Sequence, residues 1–199
     1  MKVSREQVAE NRRKILEAAG RLFRARGFEA VTVAEVMKAA GLTHGGFYGH
    51  FESKDDLIAR TLAHLLAAGS AAEDDLARYA ASYLAPRHRD DLAGGCPTAA
   101  LGAETIRQAP EARAAMTAGL RRQIERLSRG APGAGAAEKR QAAIGSWAAM
   151  VGAVILARLS DDPRLSDQVL AETRSWIGKT GATAARSKTR GRMASSEDR

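Results

Sequence analysis

The stretch TVAEVMKAAGLTHGGFYGHFESKDDL, residues 32–57, decides the fold of the N-terminal part of this chain. It opens on a Thr-x-x-Glu pattern, Thr32 and Glu35, which is typical of a capped helix start. Apolar residues then recur at helical spacing, and a second short helix follows a Gly-Leu-Thr turn at residues 41–43. Two short helices joined in this way are typical of a helix-turn-helix, which we assign to residues 32–51.

The second helix of this motif presents an outer face with hydrogen-bonding groups. At about 100° per residue, Phe47 and Phe51 point to one side, whereas His44 and Tyr48 point to the other. An exposed helix fits the major groove of B-DNA, where side-chain donors read base edges. We therefore predict a DNA-contacting surface that consists of Thr32, Thr43, His44, Gly45, Tyr48, His50 and Lys54.

The residues of this surface have different expected roles. The Thr43 hydroxyl and the His44 imidazole can reach base edges, whereas the Tyr48 hydroxyl suits a phosphate. Lys54 stands at the start of the next helix, where its charge opposes the helix dipole, so its position favours a phosphate partner. Thr32 can offer a hydroxyl or a backbone N–H to another phosphate.

Glycines interrupt the outward helix at Gly45, Gly46 and Gly49. Each costs about 1 kcal/mol relative to alanine in a helix interior. They either let the backbone approach DNA closely or leave a helix that orders fully only on DNA. The sequence leaves both interpretations open.

Helical patterns flank the motif on both sides. An apolar stripe over residues 15–23 precedes it, and Ser53 caps a helix behind it. Further helices are predicted over 73–85, 97–107, 110–129, 138–159 and 165–178, with a loop at 87–95 and a linker at 130–136. The expected fold is all-α with about nine helices: a DNA-binding domain at 1–53, a helical ligand-binding and dimerisation domain at 54–178, and a disordered basic tail at 179–199.

The charge of this 199-residue chain is uneven along its length. The net charge is +8, of which residues 1–54 and 179–199 carry +4 each, so the middle of the chain is neutral. A basic N-terminal part suggests a polyanionic partner or a surface tuned for solubility. The single cysteine excludes an internal disulfide, and we see no secretory signal and no spanning apolar run. We expect a cytoplasmic protein without a membrane partner.

The run of residues 32–57 resembles the TetR/AcrR family of bacterial regulators. The features that carry the resemblance are Thr32, Gly41-Leu42-Thr43, Tyr48, Phe51 and Ser53-Lys54. Residues 8–66 agree in helix spacing, and the remainder agrees in helix order and length. The resemblance implies a nine-helix protein that dimerises through its last two helices and holds a C-terminal cavity whose ligand releases DNA. Relatives often carry a bulky basic residue where this chain has Gly49, so the operator sequence stays open.

Two further sets of residues are candidates for the binding of partners. Small and apolar residues in the last two predicted helices suit a four-helix interface between two copies, or an ordinary core. The predicted dimer interface consists of Ile144, Gly145, Ala148, Val151, Gly152, Ile155, Val169 and Trp176. Residues that could line an effector cavity, or simply pack in the core, are Tyr83, Cys96, Met116, Trp147 and Met150.

Cys96 has a distinctive position, because Pro97 behind it suits the first residue of a helix and makes the cysteine the N-cap. A thiol at this end of a helix can have a lowered pKa. A Gly-Cys pair opening the sixth helix resembles a subgroup of the family that senses electrophiles or oxidants. The alternative is a small residue packed at a domain junction.

The sequence favours a regulator over other classes of protein. The histidines show no metal-ligand spacing, and no catalytic constellation is present, so we expect neither an enzyme nor a cofactor. The leading hypothesis is a homodimeric repressor that binds a pseudo-palindromic DNA operator and is released by a small-molecule effector. The alternatives are a redox- or electrophile-sensing regulator acting through Cys96, and a small-molecule binding protein whose DNA-binding motif no longer functions.

Overall fold

The computed structural model describes the backbone of residues 4–67 and 75–194, and the side chains of these ranges up to residue 179. These residues form nine α-helices and one 3-10 helix, and they contain no β-strand. The helices are α1 Arg5–Arg26, α2 Val33–Ala39, the 3-10 helix His44–Gly49, α3 Lys54–Ala67, α4 Leu76–Tyr83, α5 Pro86–Asp90, α6 Pro97–Thr105, α7 Pro110–Gly130, α8 Ala136–Leu159 and α9 Pro163–Ala194. The all-α fold predicted from the sequence is confirmed.

Local sequence signals explain where the first helices begin and end. The Ser4 hydroxyl accepts a hydrogen bond from the backbone N–H of Gln7 at 3.1 Å and caps the start of α1. Gly27 ends α1 with a φ of 81°, a backbone conformation that favours glycine. The Ser53 hydroxyl likewise accepts from the N–H of Asp56 at 3.1 Å, so the predicted cap of α3 is confirmed.

Three predictions about secondary structure need correction. Residues 44–49 form a 3-10 helix, not an α-helix, because three glycines in six residues weaken the α-helical alternative. Part of the loop expected over 87–95 is the short helix α5, which Pro86 can open because proline suits a first helical position.

The third correction concerns the C-terminal end. The helix expected to stop at residue 178 continues as α9 to Ala194, so the expectation of disorder is wrong for the backbone of 179–194. Alanine, lysine and arginine favour helix without any apolar stripe, and no proline interrupts this segment. Residues 195–199 of the predicted tail lie outside the described residues.

The chain divides into two compact units, and the first consists of Met1–Gly69 with Asp91–Leu120. Its core joins the apolar stripe of α1 to α2, the 3-10 helix, α3, α6 and the first half of α7. Phe23 and Phe28 are fully buried, with ring centroids 5.2 Å apart in an edge-to-face arrangement. The helix-turn-helix therefore shares one core with helices far along the chain. The functional boundary after residue 53 stays a prediction.

Helix α6 is connected to the end of α1 near both of its own ends. The carboxylate of Glu104 accepts a hydrogen bond from the backbone N–H of Phe28 at 2.7 Å. A side chain at Gly27 would place its Cβ 2.6 Å from the same carboxylate. Before the start of α6, the Arg24 guanidinium donates to the carbonyl of Gly95 at 3.3 Å. Burial lowers the pKa of Arg24, and the negative charge of Asp91 acts in the opposite direction.

The second unit consists of Ser70–Asp90 with Arg121–Arg199. Within it, α8 and α9 pack against each other and against α4. Arg89 donates to the carboxylate of Asp167 at 2.7 Å, and Arg158 donates to the carbonyl of Arg89 at 2.9 Å. These contacts connect α5 to both long helices.

By length and composition alone, α8 could cross a membrane, which the sequence pattern did not suggest. The same test is passed by the core helix of a soluble protein. One face of α8 is buried in its unit through Trp147, Met150 and Val154, as expected for such a core helix.

Candidate nucleic-acid interface

A network of hydrogen bonds fixes the first helix of the motif. The Thr32 hydroxyl accepts from the backbone N–H of Glu35 at 3.2 Å, and the Glu35 carboxylate accepts from the N–H of Thr32 at 2.8 Å. Arg26 of α1 donates to the same carboxylate at 2.8 Å. The Thr32 backbone, then Arg26, then the Thr32 hydroxyl lower the pKa of Glu35 to about 2. The predicted capping box is therefore present, and it connects α2 to α1.

The turn between the two helices depends on one glycine. Gly41 has a φ of 72°, which side chains other than glycine rarely adopt without strain. The backbone N–H of Leu42 then donates to the carbonyl of Met37 at 2.9 Å and closes the end of α2. This turn fixes the direction in which the 3-10 helix starts after Thr43, relative to α2.

The 3-10 helix has a buried side and an exposed side. Phe47 and Phe51 are buried and stack with ring centroids 5.6 Å apart. Tyr48 is 73% exposed, although its ring meets that of Phe47 edge-on at 5.2 Å. Thr43 and His44 are also exposed, and the Thr43 hydroxyl forms no capping hydrogen bond with the helix. Side chains able to donate hydrogen bonds thus face outward, as groove contact requires.

The remaining predicted DNA contacts lie at the edges of this surface. Thr32 and Gly45 are exposed, and Lys54 is partly exposed at the first position of α3. His50 is partly buried, and its Nδ1 atom has no hydrogen-bond partner among the described residues. The contacts of all these residues with DNA stay predictions.

Two of the three glycines leave open space on the exposed side. A Cβ added at Gly45 or Gly49 would meet no heavy atom of the described residues within 4 Å, and one at Gly46 would lie 3.7 Å from the Met37 side chain. Packing against the part of the chain that the structure describes therefore gives no reason for glycine at positions 45 and 49. Both interpretations of these glycines, close approach to DNA and ordering on DNA, stay open.

Sequence reasoning missed the role of Arg12. Its guanidinium donates a hydrogen bond to the carbonyl of His50 and lies over the ring of Phe51, 4.6 Å from the centroid. Arg12 and His50 are 38 residues apart, so no local pattern connects them. The only signal in the sequence was that Arg12 is a cation lying off the apolar stripe of α1.

The predicted effector-binding residues fall into two groups. Cys96 and Met116 belong to the first compact unit, where the Thr98 hydroxyl lies 3.9 Å from the Met116 sulfur. Tyr83, Trp147 and Met150 belong to the second unit and are buried there.

Two details of the second group bear on a ligand. The buried indole N–H of Trp147 has no hydrogen-bond partner in the described part of the chain. The ring of Tyr83 lies 4.4 Å from that of His88, whose Nδ1 is 2.6 Å from the Tyr83 carbonyl oxygen. The role of both groups in binding a ligand stays a prediction.

Cys96 lies at the N-cap of α6 with Pro97 behind it, as the sequence predicts, and it is partly buried. Its thiol makes no capping hydrogen bond to the helix. A sensing reaction at this thiol stays a prediction. Within the described ranges, no three His, Cys, Asp or Glu side chains are grouped to hold a metal ion.

The predicted dimer interface forms a stripe on α8. Residues at positions 144, 148, 151, 155 and 159 lie within about 80° of one another around the helix axis, opposite the buried face. Ile144 and Ile155 are exposed, and a Cβ at Gly145 or Gly152 would meet no described atom within 4 Å. Ala148 is exposed and Val151 is partly exposed.

On α9 a similar stripe comprises Leu165, Val169 and Trp176, of which Trp176 is 54% exposed. The sequence analysis missed Leu156, Leu159 and Leu165, which are also exposed. Leu159, at 75%, is the most exposed of these large apolar side chains. They lie at the ends or flanks of the two stripes, where periodicity alone does not separate surface from core.

Curated relatives match a part of the chain. The probable HTH-type transcriptional regulator ArpR of Pseudomonas putida is 38% identical over 79 residues, and the HTH-type transcriptional regulator TtgR of the same species is 37% identical over the same length. Each alignment covers 37% of this chain and 38% of the relative. This chain thus matches well under half the length of these relatives.

Solved structures match most of the fold. The reduced form of NemR from Escherichia coli has a TM-score of 0.65 and 24% identity, over 84% of this chain and 94% of that one. A TetR transcriptional regulator from Chloroflexus aurantiacus has a TM-score of 0.62 and 25% identity, over 87% and 96% of the two chains. The fold is therefore shared well beyond the helix-turn-helix.

Two family models match separate parts of the sequence. Residues 15–61 match the bacterial regulatory proteins of the tetR family, and residues 72–173 match the tetracyclin repressor-like C-terminal domain. The first match contains the helix-turn-helix, and the second alone covers more than half of the chain. With its all-α fold, its helix-turn-helix and both of these matches, the chain belongs to the TetR family of bacterial regulatory proteins.

Proposed function

We propose that this protein is a cytoplasmic, homodimeric transcriptional repressor that binds a pseudo-palindromic DNA operator and leaves it when a small-molecule effector binds. The observation that carries the proposal is the exposed side of the 3-10 helix. Thr43, His44 and Tyr48 are exposed there, while Phe47 beneath them is buried in the core. Such a surface suits insertion into the major groove.

The surroundings of this surface support contact with phosphates. Lys54 and Thr32 lie at the starts of α3 and α2, where backbone N–H groups and cations suit an anion. The +4 charge of residues 1–54 adds long-range attraction to DNA. The ArpR and TtgR regulators are similar to this chain over 79 residues each.

Dimerisation is supported by the apolar stripes of α8 and α9. Contiguous exposed apolar surface on a soluble protein commonly marks an interaction site. Small residues, such as Ala148 within the α8 stripe and Gly145 beside it, allow close approach of a second helix. Two copies also suit two operator half-sites about one DNA turn apart.

An effector site is supported by the buried polar group of Trp147. A buried N–H without a partner carries a desolvation cost of about 1–3 kcal/mol, which an acceptor atom on a bound molecule would remove. Met150 is fully buried on the same face of α8 and offers an adaptable apolar wall.

The proposal is tested by fluorescence anisotropy with the purified protein. The labelled duplexes are DNA from upstream of its own gene and a scrambled control, each across a salt series. We expect tight binding that favours the upstream DNA at two protomers per site and weakens steeply with salt.

Two other outcomes would contradict the proposal. Weak binding without sequence preference, also after selection from genomic fragments, would favour a small-molecule binding protein whose DNA-binding motif no longer functions. Specific binding by one protomer per site would contradict the homodimer while leaving DNA recognition in place.

A further inference from the structure

The 3-10 helix has little intrinsic stability of its own. It contains six residues, three of which are glycine, and 3-10 hydrogen bonds have poorer geometry than α-helical ones. Its closing hydrogen bonds run from the backbone N–H groups of His50 and Phe51 to the carbonyl of Phe47, at 2.9 and 3.0 Å. The position of its C-terminal end therefore depends on contacts with other parts of the protein.

Arg12 of α1 makes two contacts at this end. Its guanidinium donates to the carbonyl of His50, the residue that follows the helix. The same group lies over Phe51, with its central carbon 4.6 Å from the ring centroid. Phe51 in turn stacks on Phe47, so the contact reaches the buried side of the helix.

We propose that Arg12 is a positioning residue for DNA binding, because its guanidinium clamps the C-terminal end of the glycine-rich 3-10 helix to α1. This inference rests on the proposed function, but it assigns to Arg12 a task within the protein and not a contact with phosphate. A charged hydrogen bond and a cation–π contact act together on one short segment. In the free protein, the clamp holds the helix that carries His44 and Tyr48 in the orientation that contact with the major groove requires.

The chain offers matched variants for a test. Arg12→Ala removes both contacts, and Arg12→Lys keeps the charge but loses the planar group that stacks and donates from a fixed geometry. Arg13→Ala is the control, since it removes the same charge from the next residue, which is exposed and paired with Glu10 and Glu17.

The first measurement is amide hydrogen exchange in the free proteins, followed residue by residue by NMR. We expect exchange at the N–H groups of His50 and Phe51 to rise about tenfold or more in both Arg12 variants, as local opening becomes easier. Exchange within α3, which shares the core of the first unit with α1, reports whether the variant is folded. Exchange at His50 and Phe51 that matches the wild type in a folded Arg12→Ala protein overturns the proposal.

The second measurement is DNA affinity across a salt series. A positioning role predicts about tenfold weaker binding for both Arg12 variants with an unchanged salt dependence, whereas a lost phosphate contact lowers the log–log slope by about 0.9. The positioning role is overturned if Arg12→Ala lowers the slope of log affinity against log salt concentration and Arg12→Lys restores both the slope and the affinity. Because the exchange comparison uses no DNA, it distinguishes failure of this inference from failure of the proposed function.

Discussion

Glu35 serves two partners at once, since it completes the capping box with Thr32 and pairs with Arg26. These hydrogen bonds hold its pKa at about 2, below the usual 4.5. A carboxylate with a lowered pKa in the folded state stabilises the protein fully above its unfolded value, and this contribution is lost as the pH falls through the folded value.

The first prediction concerns the stability of a Glu35→Gln variant. The variant should melt below the wild type near neutral pH, and the gap in Tm should shrink as the pH falls from about 4.5 toward 2, because the wild-type carboxylate then becomes protonated. Circular dichroism melts at several pH values measure the gap. A gap that stays constant across this range would contradict the assigned role.

The second prediction separates base contact from phosphate contact. His44→Ala should reduce the preference for the operator over a scrambled duplex, by about 1–3 kcal/mol if it removes a base-edge hydrogen bond. Lys54→Ala should weaken binding to both duplexes equally and lower the salt dependence by about one unit. Competition anisotropy gives both numbers. Equal losses on both duplexes for His44→Ala would exclude its role in reading bases.

At the scale of the element, the 3-10 helix offers a test of its glycines. Gly49 has no positive φ, and a Cβ there meets open space, so Gly49→Ala should fold normally and gain up to about 1 kcal/mol of stability. We expect DNA affinity to fall nevertheless, because the added methyl group stands on the groove-facing side.

This prediction is tested by measuring two quantities for Gly49→Ala and the wild type: the melting temperature and the DNA affinity from anisotropy. Gly41→Ala is a useful contrast, since its φ of 72° makes a side chain there strained and should lower Tm. Tighter DNA binding by Gly49→Ala would favour the other interpretation, in which the glycines delay ordering of the helix until DNA binds.

The same elements show what sequence patterns can and cannot predict. Caps and apolar stripes are local, so the start of α2 at Thr32 and the start of α3 at Ser53 were predictable. The clamp of Arg12 on His50 joins residues that only the tertiary fold brings together. The continuation of α9 to Ala194 was missed because helix propensity without an apolar stripe leaves no periodic signal.

At the scale of the whole molecule, the exposed stripes of α8 and α9 predict the state of assembly. Ile155→Glu introduces a charge in the middle of the α8 stripe without touching the buried face. We expect this variant to run as a single chain where the wild type runs as two, because a buried unpaired charge is costly. Light scattering coupled to size exclusion measures the mass.

A matched substitution on α9 controls for surface effects. Arg174 is exposed on the opposite side of α9 from Trp176, so Arg174→Ala should leave the mass of the assembly unchanged. A wild-type protein of one chain at micromolar concentration, or an Ile155→Glu protein that stays paired, would contradict this assignment of the interface.

Glycines on the exposed side of the 3-10 helix limit how many base pairs of DNA the protein can distinguish by side-chain contact. On the proposed function, Thr43 and His44 are the main exposed side chains left to contact base edges. We therefore expect each half-site to specify few base pairs, although a genome offers about 10⁶ or more competing sites. The discrimination that side chains do not supply then falls to spacing and to the mechanical properties of the DNA between half-sites. We consequently expect the operators of this protein to differ from one another at many base pairs while their length and their stiffness stay the same.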